Sequence, residues 1–191
     1  MPRLFTAIEL PEDLRDDLSD MEQPLPGARW IDSDDMHITL RFAGDIDNPT
    51  AREFVDLLAG IEVNAFHARL SGLGTFGGKE PKAIWAGVEA GPELEQLARA
   101  HERAARSCGL APEGRQFRPH VTIARLKYAR DDLVARFLER FSGYRSEPFL
   151  VTHFTLFSSK PQTGGGPYVV EETFPLFGGG IPLDGAHGSF G

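Results

Sequence analysis

The chain has 191 residues, 41% of them hydrophobic, and a formal net charge of −8. That length suits one domain or two small lobes, and the lack of any run of about 18 apolar residues argues against a helical membrane span. The acidic balance argues against a surface that coats duplex nucleic acid, which is ordinarily basic.

Residues 3–9 read as a strand, and Pro11 opens a short helix with Leu14 and Leu18 on one face. Residues 22–29, with Pro24, Pro26 and Gly27, read as a loop. A strand at 36–42 leads to Asn48-Pro49, read as a helix start with Asn48 as cap. Phe54, Leu57, Leu58 and Ile61 then form a helical stripe, with Gly60 at its end. A strand at 66–73 precedes a glycine-rich turn. There follow a strand at 82–90, a helix from Pro92 to about Ser107, and a strand at 117–126. A helix from Asp131 to near Gly143 and strands at 148–157 and 168–174 complete the pattern.

The order strand–helix–strand–helix–strand thus occurs twice, and one offset relates the copies: 120 − 37 = 83 for His37 and His120, and 149 − 66 = 83 for Phe66 and Phe149. The expected fold is α+β, a bilobal domain over 1–177 made by internal duplication, with pseudo-repeats near 3–74 and 82–159. Residues 178–191 are glycine-rich and read as a flexible tail.

The offset singles out two short segments. His37-Ile38-Thr39-Leu40 and His120-Val121-Thr122-Ile123 both read His-x-Thr-x with aliphatic residues at x. On a strand, residues i and i+2 share a face, so each segment shows an imidazole and a hydroxyl on one side. Two such strands around one cleft make a metal-free acid–base site, since histidine titrates near neutrality and one ring can be neutral while the other is protonated. The bland reading of either histidine alone is a half-buried strand residue with satisfied hydrogen bonds. The repetition favours catalysis. His153-Phe154-Thr155 is a third triplet, but the residue 83 positions earlier is Leu70, so His153 falls away from the paired positions.

Arg41 shares parity with His37 and Thr39, so a regular strand points it into the cleft as an anion contact. Arg118 shares parity with His120, whereas Arg125 has the opposite parity and needs a bulge to join them. Each would otherwise be a solvated surface charge. Gly72-Leu73-Gly74-Thr75-Phe76-Gly77 matches G-x-G-x-x-G but leads into a strand instead of a helix, so it reads as the turn between the units and not as a dinucleotide site. Paired histidines with one cysteine lack the ligand count of a zinc site, so no metal is expected. His67, His101 and His187 read as surface or tail residues, and Cys108 as buried and inert. Trp30 and Phe76 could stack on a base, although aromatic residues beside a sheet are more often core. The lone cysteine and the lack of a secretory signal pattern lead us to expect a cytoplasmic protein.

Several ordered segments together resemble the 2H phosphoesterases, and specifically the RNA 2′,3′-cyclic phosphodiesterases, also called 2′-5′ RNA ligases. They are Leu4-Phe5-Thr6-Ala7-Ile8-Glu9-Leu10-Pro11, Ala28-Arg29-Trp30, His37-Ile38-Thr39-Leu40-Arg41-Phe42, Gly72-Leu73-Gly74-Thr75-Phe76, Trp85-Ala86-Gly87-Val88 and Phe117-Arg118-Pro119-His120-Val121-Thr122-Ile123-Ala124-Arg125. Ala43 departs from the usual leucine, and the end beyond Phe177 is outside the pattern. The resemblance implies two antiparallel sheets facing a central cleft with helices outside. It also implies hydrolysis of a 2′,3′-cyclic phosphate on an RNA 3′ end to a 2′-phosphomonoester, with 2′-5′ joining in some members and no cofactor. His37 would be the acid and His120 the base, with Thr39, Thr122 and the arginines binding phosphate oxygens. The partners implied are RNA 3′ termini such as tRNA-like fragments, or small cyclic nucleotides, met by a monomer. Three rival readings are an RNA-terminus binding module without catalysis, a phosphodiesterase for a small metabolite, and a structural protein with a duplicated sheet.

Overall fold

The structure, a computed structural model, describes residues 2–160 and 165–178. The expected tail, apart from Gly178, lies outside them. Among the described residues are nine strands and four α-helices. In chain order they run β1 (Arg3–Glu9), α1 (Glu12–Ser19), β2 (Ala28–Trp30), β3 (His37–Asp45), α2 (Asn48–Ala59), β4 (Phe66–Phe76), β5 (Ala83–Ala90), α3 (Pro92–Ser107), β6 (His120–Leu126), α4 (Asp131–Arg140), β7 (Phe149–Val151), β8 (His153–Ser159) and β9 (Val169–Pro175). No helix among them is long and apolar enough to cross a membrane.

Every strand pair is antiparallel, and the order is β7-β4-β5-β6-β3-β1-β8-β9, with β2 also pairing β6. Where two separate sheets were expected, the strands form one path. Its centre is narrow, because β3 and β6 share only the Ile38–Val121 pairing. The two strands bearing His-x-Thr are therefore neighbours in one sheet, crossing at the residue between histidine and threonine.

The helices bury their stripes against the sheet. Leu14 and Leu18 of α1, Phe54 and Leu58 of α2, Leu97 and Ala105 of α3, and Val134 and Phe137 of α4 join Ile38, Ile84, Val121 and Ile123 in one core. Each such fully buried aliphatic or aromatic side chain contributes about 1.5–3 kcal/mol. A second, small cluster of Phe5, Ala7 and Phe157, with Tyr168 against it, is separate from that core.

Several local expectations are corrected. The cap of α2 is Asp47, whose carboxylate accepts from Thr50 N–H at 2.8 Å, and Asn48 is the first helical residue. The loop read at 22–29 gives way to a short strand, β2. The G-x-G-x-x-G segment lies mostly within β4, and the turn is made by Gly77 and Gly78, both at positive φ. Gly74 is required where it stands, because a Cβ there would run into the Trp85 ring.

His101 is not a surface residue. It is fully buried on α3, with Nδ1–H donating to the Leu97 carbonyl at 2.8 Å and its ring edge-on to Phe154. Burial, foremost, pushes its pKa from 6.5 down to about 4, with the Arg41 charge acting the same way. Folding therefore releases a proton that the unfolded chain holds between those values, so stability is full above pH 6.5 and declines as pH falls toward 4. We expect that decline to be worth about 3 kcal/mol from this residue. His101→Gln should flatten that part of the stability-versus-pH curve measured by urea denaturation.

Candidate active site

The site is built on two bulges. On β3, Thr6 pairs with Arg41 and Ala7 with Thr39, so Leu40 is the extra residue. On β6, Ile84 pairs with Ala124 and Trp85 with Thr122, so Ile123 is the extra residue. The two bulged positions are again 123 − 40 = 83 apart. A bulge places two consecutive residues on one side of the strand. Leu40 and Arg41 are accordingly both buried, as are Ile123 and Ala124. Beyond each bulge the alternation is inverted.

That inversion decides the arginines. Arg41, expected in the cleft, turns to the helix side and is only 8% exposed. Its Nε donates to Glu102 at 2.8 Å, one terminal nitrogen to the Phe42 carbonyl at 2.7 Å and the other to the Ala111 carbonyl at 2.6 Å. It ties β3 to α3 and to the segment that leads into β6. Arg125 moves the other way, onto the face of His120 and Thr122, exposed, with its charge felt at both His37 and His120. The Arg118 side chain is exposed, and what it supplies at close range is its backbone carbonyl.

Each histidine is held the same way. His37 Nδ1–H donates to the Asp35 carbonyl at 2.7 Å, and His120 Nδ1–H to the Arg118 carbonyl at 2.6 Å. A carbonyl only accepts, so the proton must sit on Nδ1 in both rings, and Nε2 is the working nitrogen. On His37 that nitrogen meets Thr39 Oγ1 at 2.9 Å. Aromatic rings fix the planes. Tyr168 stands edge-on to His37, which also lies 5.0 Å from Phe5, while Phe76 stands edge-on to His120 with Trp85 at 6.3 Å. Thr122 is half-buried and paired opposite Trp85.

Both imidazoles titrate below their ordinary value. Burial is the main cause for each; the backbone acceptors oppose it, and the Arg125 charge adds to it. The His120 charge also lowers His37. Asp35, whose carbonyl holds His37, has its own carboxyl pushed up by burial and then by Asp32 and Asp34.

Other candidates fall elsewhere. His153 sits on β8 with Nε2 3.5 Å from Glu9 Oε1, and Thr155 donates to the same oxygen at 2.8 Å. Trp30 packs on Phe137 in the core, whereas Phe76 stands against His120. Cys108 is half-buried, its thiol pushed up by burial. Among the described residues no three His, Cys, Asp or Glu side chains gather into a metal-binding group. Sequence reasoning missed Tyr168, Phe5 and Trp85 as ring neighbours of the two histidines.

The model of the 2′-5′ RNA ligase superfamily matches residues 10–162, and the chain belongs to that superfamily. It is 38% identical over 120 residues to the RNA 2′,3′-cyclic phosphodiesterase of Aeropyrum pernix, covering 62% of this chain and 66% of that one. It is 30% identical over 184 residues to the protein of that name from Geobacillus stearothermophilus, covering 91% of this chain and 57% of that one. It thus spans about two thirds and little more than half of the lengths of these relatives. A solved Thermus thermophilus protein superposes with a TM-score of 0.75 at 25% identity, over 91% of this chain and 97% of that one. Escherichia coli LigT, solved with 3′-AMP, gives a TM-score of 0.75 at 24% identity over 92% and 98%, a likeness that shows the fold.

Arg41→Lys keeps the charge but loses the fork geometry. It should lower the unfolding free energy by about 1–3 kcal/mol in urea titration while leaving the affinity for inorganic phosphate unchanged in a calorimetric titration. A cleft-lining arginine would show the reverse.

Proposed function

We propose that the chain hydrolyses the 2′,3′-cyclic phosphate of an RNA 3′ end to a 2′-phosphomonoester, with His37 and His120 exchanging protons and no metal taking part. The observation that carries this reading is that the two His-x-Thr strands meet at the Ile38–Val121 pairing, with each histidine held by Nδ1 to a backbone carbonyl so that Nε2 is the nitrogen left for proton exchange, and with Arg125 on the face of His120. The names of the relatives support the same activity. On this reading the domain, 1–177, is an internal duplication whose pseudo-twofold passes between Ile38 and Val121.

Water attacks phosphorus as neutral His120 takes its proton through Nε2. The phosphorus–O3′ bond breaks, and the His37 imidazolium protonates the departing O3′. The product keeps its phosphate on O2′. Arg125 and the hydroxyls of Thr39 and Thr122 donate to the non-bridging oxygens as charge grows in the five-coordinate state. Thr39 first leaves His37 Nε2, a local rotation about one bond. With an RNA 5′-hydroxyl attacking in place of water, the same exchange in the same direction joins two ends through a 2′-5′ bond, and the histidines trade roles only when O3′ attacks that bond to cleave it again. The substrates on this reading are RNA 3′ termini such as tRNA-like fragments, or small cyclic nucleotides, bound by a cytoplasmic monomer.

Both imidazoles lie below 6.5, so the singly protonated pair is most abundant below that pH in the free protein. The profile of kcat/KM on a 2′,3′-cyclic-phosphate substrate should be a bell with its maximum under pH 6.5, unchanged by EDTA. The bound phosphate anion stabilises the imidazolium, so the alkaline limb of kcat should lie at higher pH. Activity lost in EDTA and restored by zinc would count against the reading.

His37→Ala and His120→Ala should each lower kcat by about 10²–10⁴. The alkaline limb should vanish in the first and the acidic limb in the second. Full turnover in either variant ends the proposal, and a product carrying a 3′-phosphate reverses the assigned bond.

A further inference from the structure

We propose that the outer end of β6, with Arg29 of β2, is a track for the single-stranded RNA that leads to the 3′ terminus in the cleft. The inference rests on the function proposed above and adds a polymer-binding surface to it. Arg29 and Arg125 are directly paired across β2 and β6. Directly opposed residues of an antiparallel pair share a face, and this is the face of His120 and Thr122. Both arginines are exposed, and the charges of both reach the Tyr168 hydroxyl beside His37. Lys127, the first residue past the end of β6, donates its backbone N–H to the Gly27 carbonyl at 2.8 Å, so it continues the β2–β6 edge outward from Arg125.

Among the described residues, Arg29, Arg125 and Lys127 form no ion pair with a carboxylate, whereas nearby Arg130 and Lys82 are matched by Asp132 and Glu80. In a chain of net charge −8, three unneutralised cations in a row at the mouth of one cleft are a local exception. On the opposite, His37 side the cleft margin carries Glu9, Asp34 and Asp35, and its Arg15 is taken by Asp34. A polyanion leaving the site is repelled there and attracted along β6.

The track ends in an aromatic side chain with no structural reason to be there. Tyr128 is 81% exposed and has φ 56°, a backbone region that suits glycine or asparagine and disfavours a bulky residue. The Lys127 ammonium lies 5.6 Å from the centre of its ring. A phosphate-binding cation beside an open aromatic face is the pairing that holds single-stranded nucleic acid, by backbone attraction and base stacking. A duplex hides its base faces, so the occupant is single-stranded.

Lys127→Glu and Tyr128→Gly test this with two substrates, a nucleoside 2′,3′-cyclic phosphate and a short single-stranded RNA ending in the same group. The wild-type protein should have the lower KM for the RNA. Each variant should raise that KM about tenfold and leave kcat and KM for the mononucleotide unchanged. Lys127→Glu should also flatten the salt dependence of RNA affinity by about 0.7 in log–log slope. Tyr128→Gly should hold or raise the melting temperature, because it relieves the left-handed backbone, so its loss of RNA affinity could not be blamed on folding. Arg99→Glu, on α3, is the control and should change nothing. Equal KM values for the two wild-type substrates, or variants that treat the RNA as wild type does, would overturn the track. If neither substrate is turned over, the proposed reaction fails instead, and fluorescence anisotropy of labelled RNA with the same variants still decides the surface.

Discussion

Two hydrogen bonds fix the tautomer of the paired histidines: each donates its Nδ1–H to a backbone carbonyl two residues upstream, at Asp35 and at Arg118. The acceptors are main-chain atoms, so the tautomer is held by the fold and not by another titrating side chain. A carboxylate partner would raise the imidazole pKa by stabilising its charge; a carbonyl does so less strongly, and burial prevails. The result is a pair of weakly basic rings with identical attachment and opposite strand direction. Everything else in the cleft, from the edge-on Tyr168 and Phe76 to the pinned loop before His120, keeps those two bonds in place.

Charge is sorted by face. Arg41 is withdrawn among backbone carbonyls and Glu102, where its positive charge also opposes protonation of the buried His101. Arg125 stands open at the cleft. Two arginines on equivalent-looking strands therefore do unrelated work, one binding elements together and one offering charge to solvent. Removing Glu102 would leave the buried Arg41 charge without its carboxylate, which is why that contact belongs to stability.

The order of elements was largely legible. Apolar stripes marked α1 to α4 closely, with proline at the start of the first three, and alternation marked most strands. The repeat offset located His37 and His120 without knowledge of the fold. What was hidden depended on partners distant in sequence. Nothing local in Leu40-Arg41 announces a bulge, because the extra residue exists only relative to Thr6 and Ala7 on the neighbouring strand. The opposite parity of Arg125 was visible, and the bulge it required was there at Ile123. His101 looked like a surface residue because its neighbours on α3 are charged, and only the packing of Phe154 shows that its own side of the helix is interior. β2 was hidden by Pro24, Pro26 and Gly27, which speak for a loop until β6 supplies a strand to pair with.

The bulge at Leu40 makes the count of residues, as much as their identity, part of the active centre. Pairing β3 with β1 without that bulge, Leu40 kept, would restore a regular pleat, swing the Arg41 guanidinium out beside Thr39 and drive Phe42 toward the helices. A lineage that gained a residue opposite Leu40, between Thr6 and Ala7 of β1, would keep every letter of His-x-Thr-x yet exchange a structural cation for a solvent-facing one. Alignments across this strand are therefore informative about chemistry only when the gap, and not just the matched letters, is placed against the strand next to it.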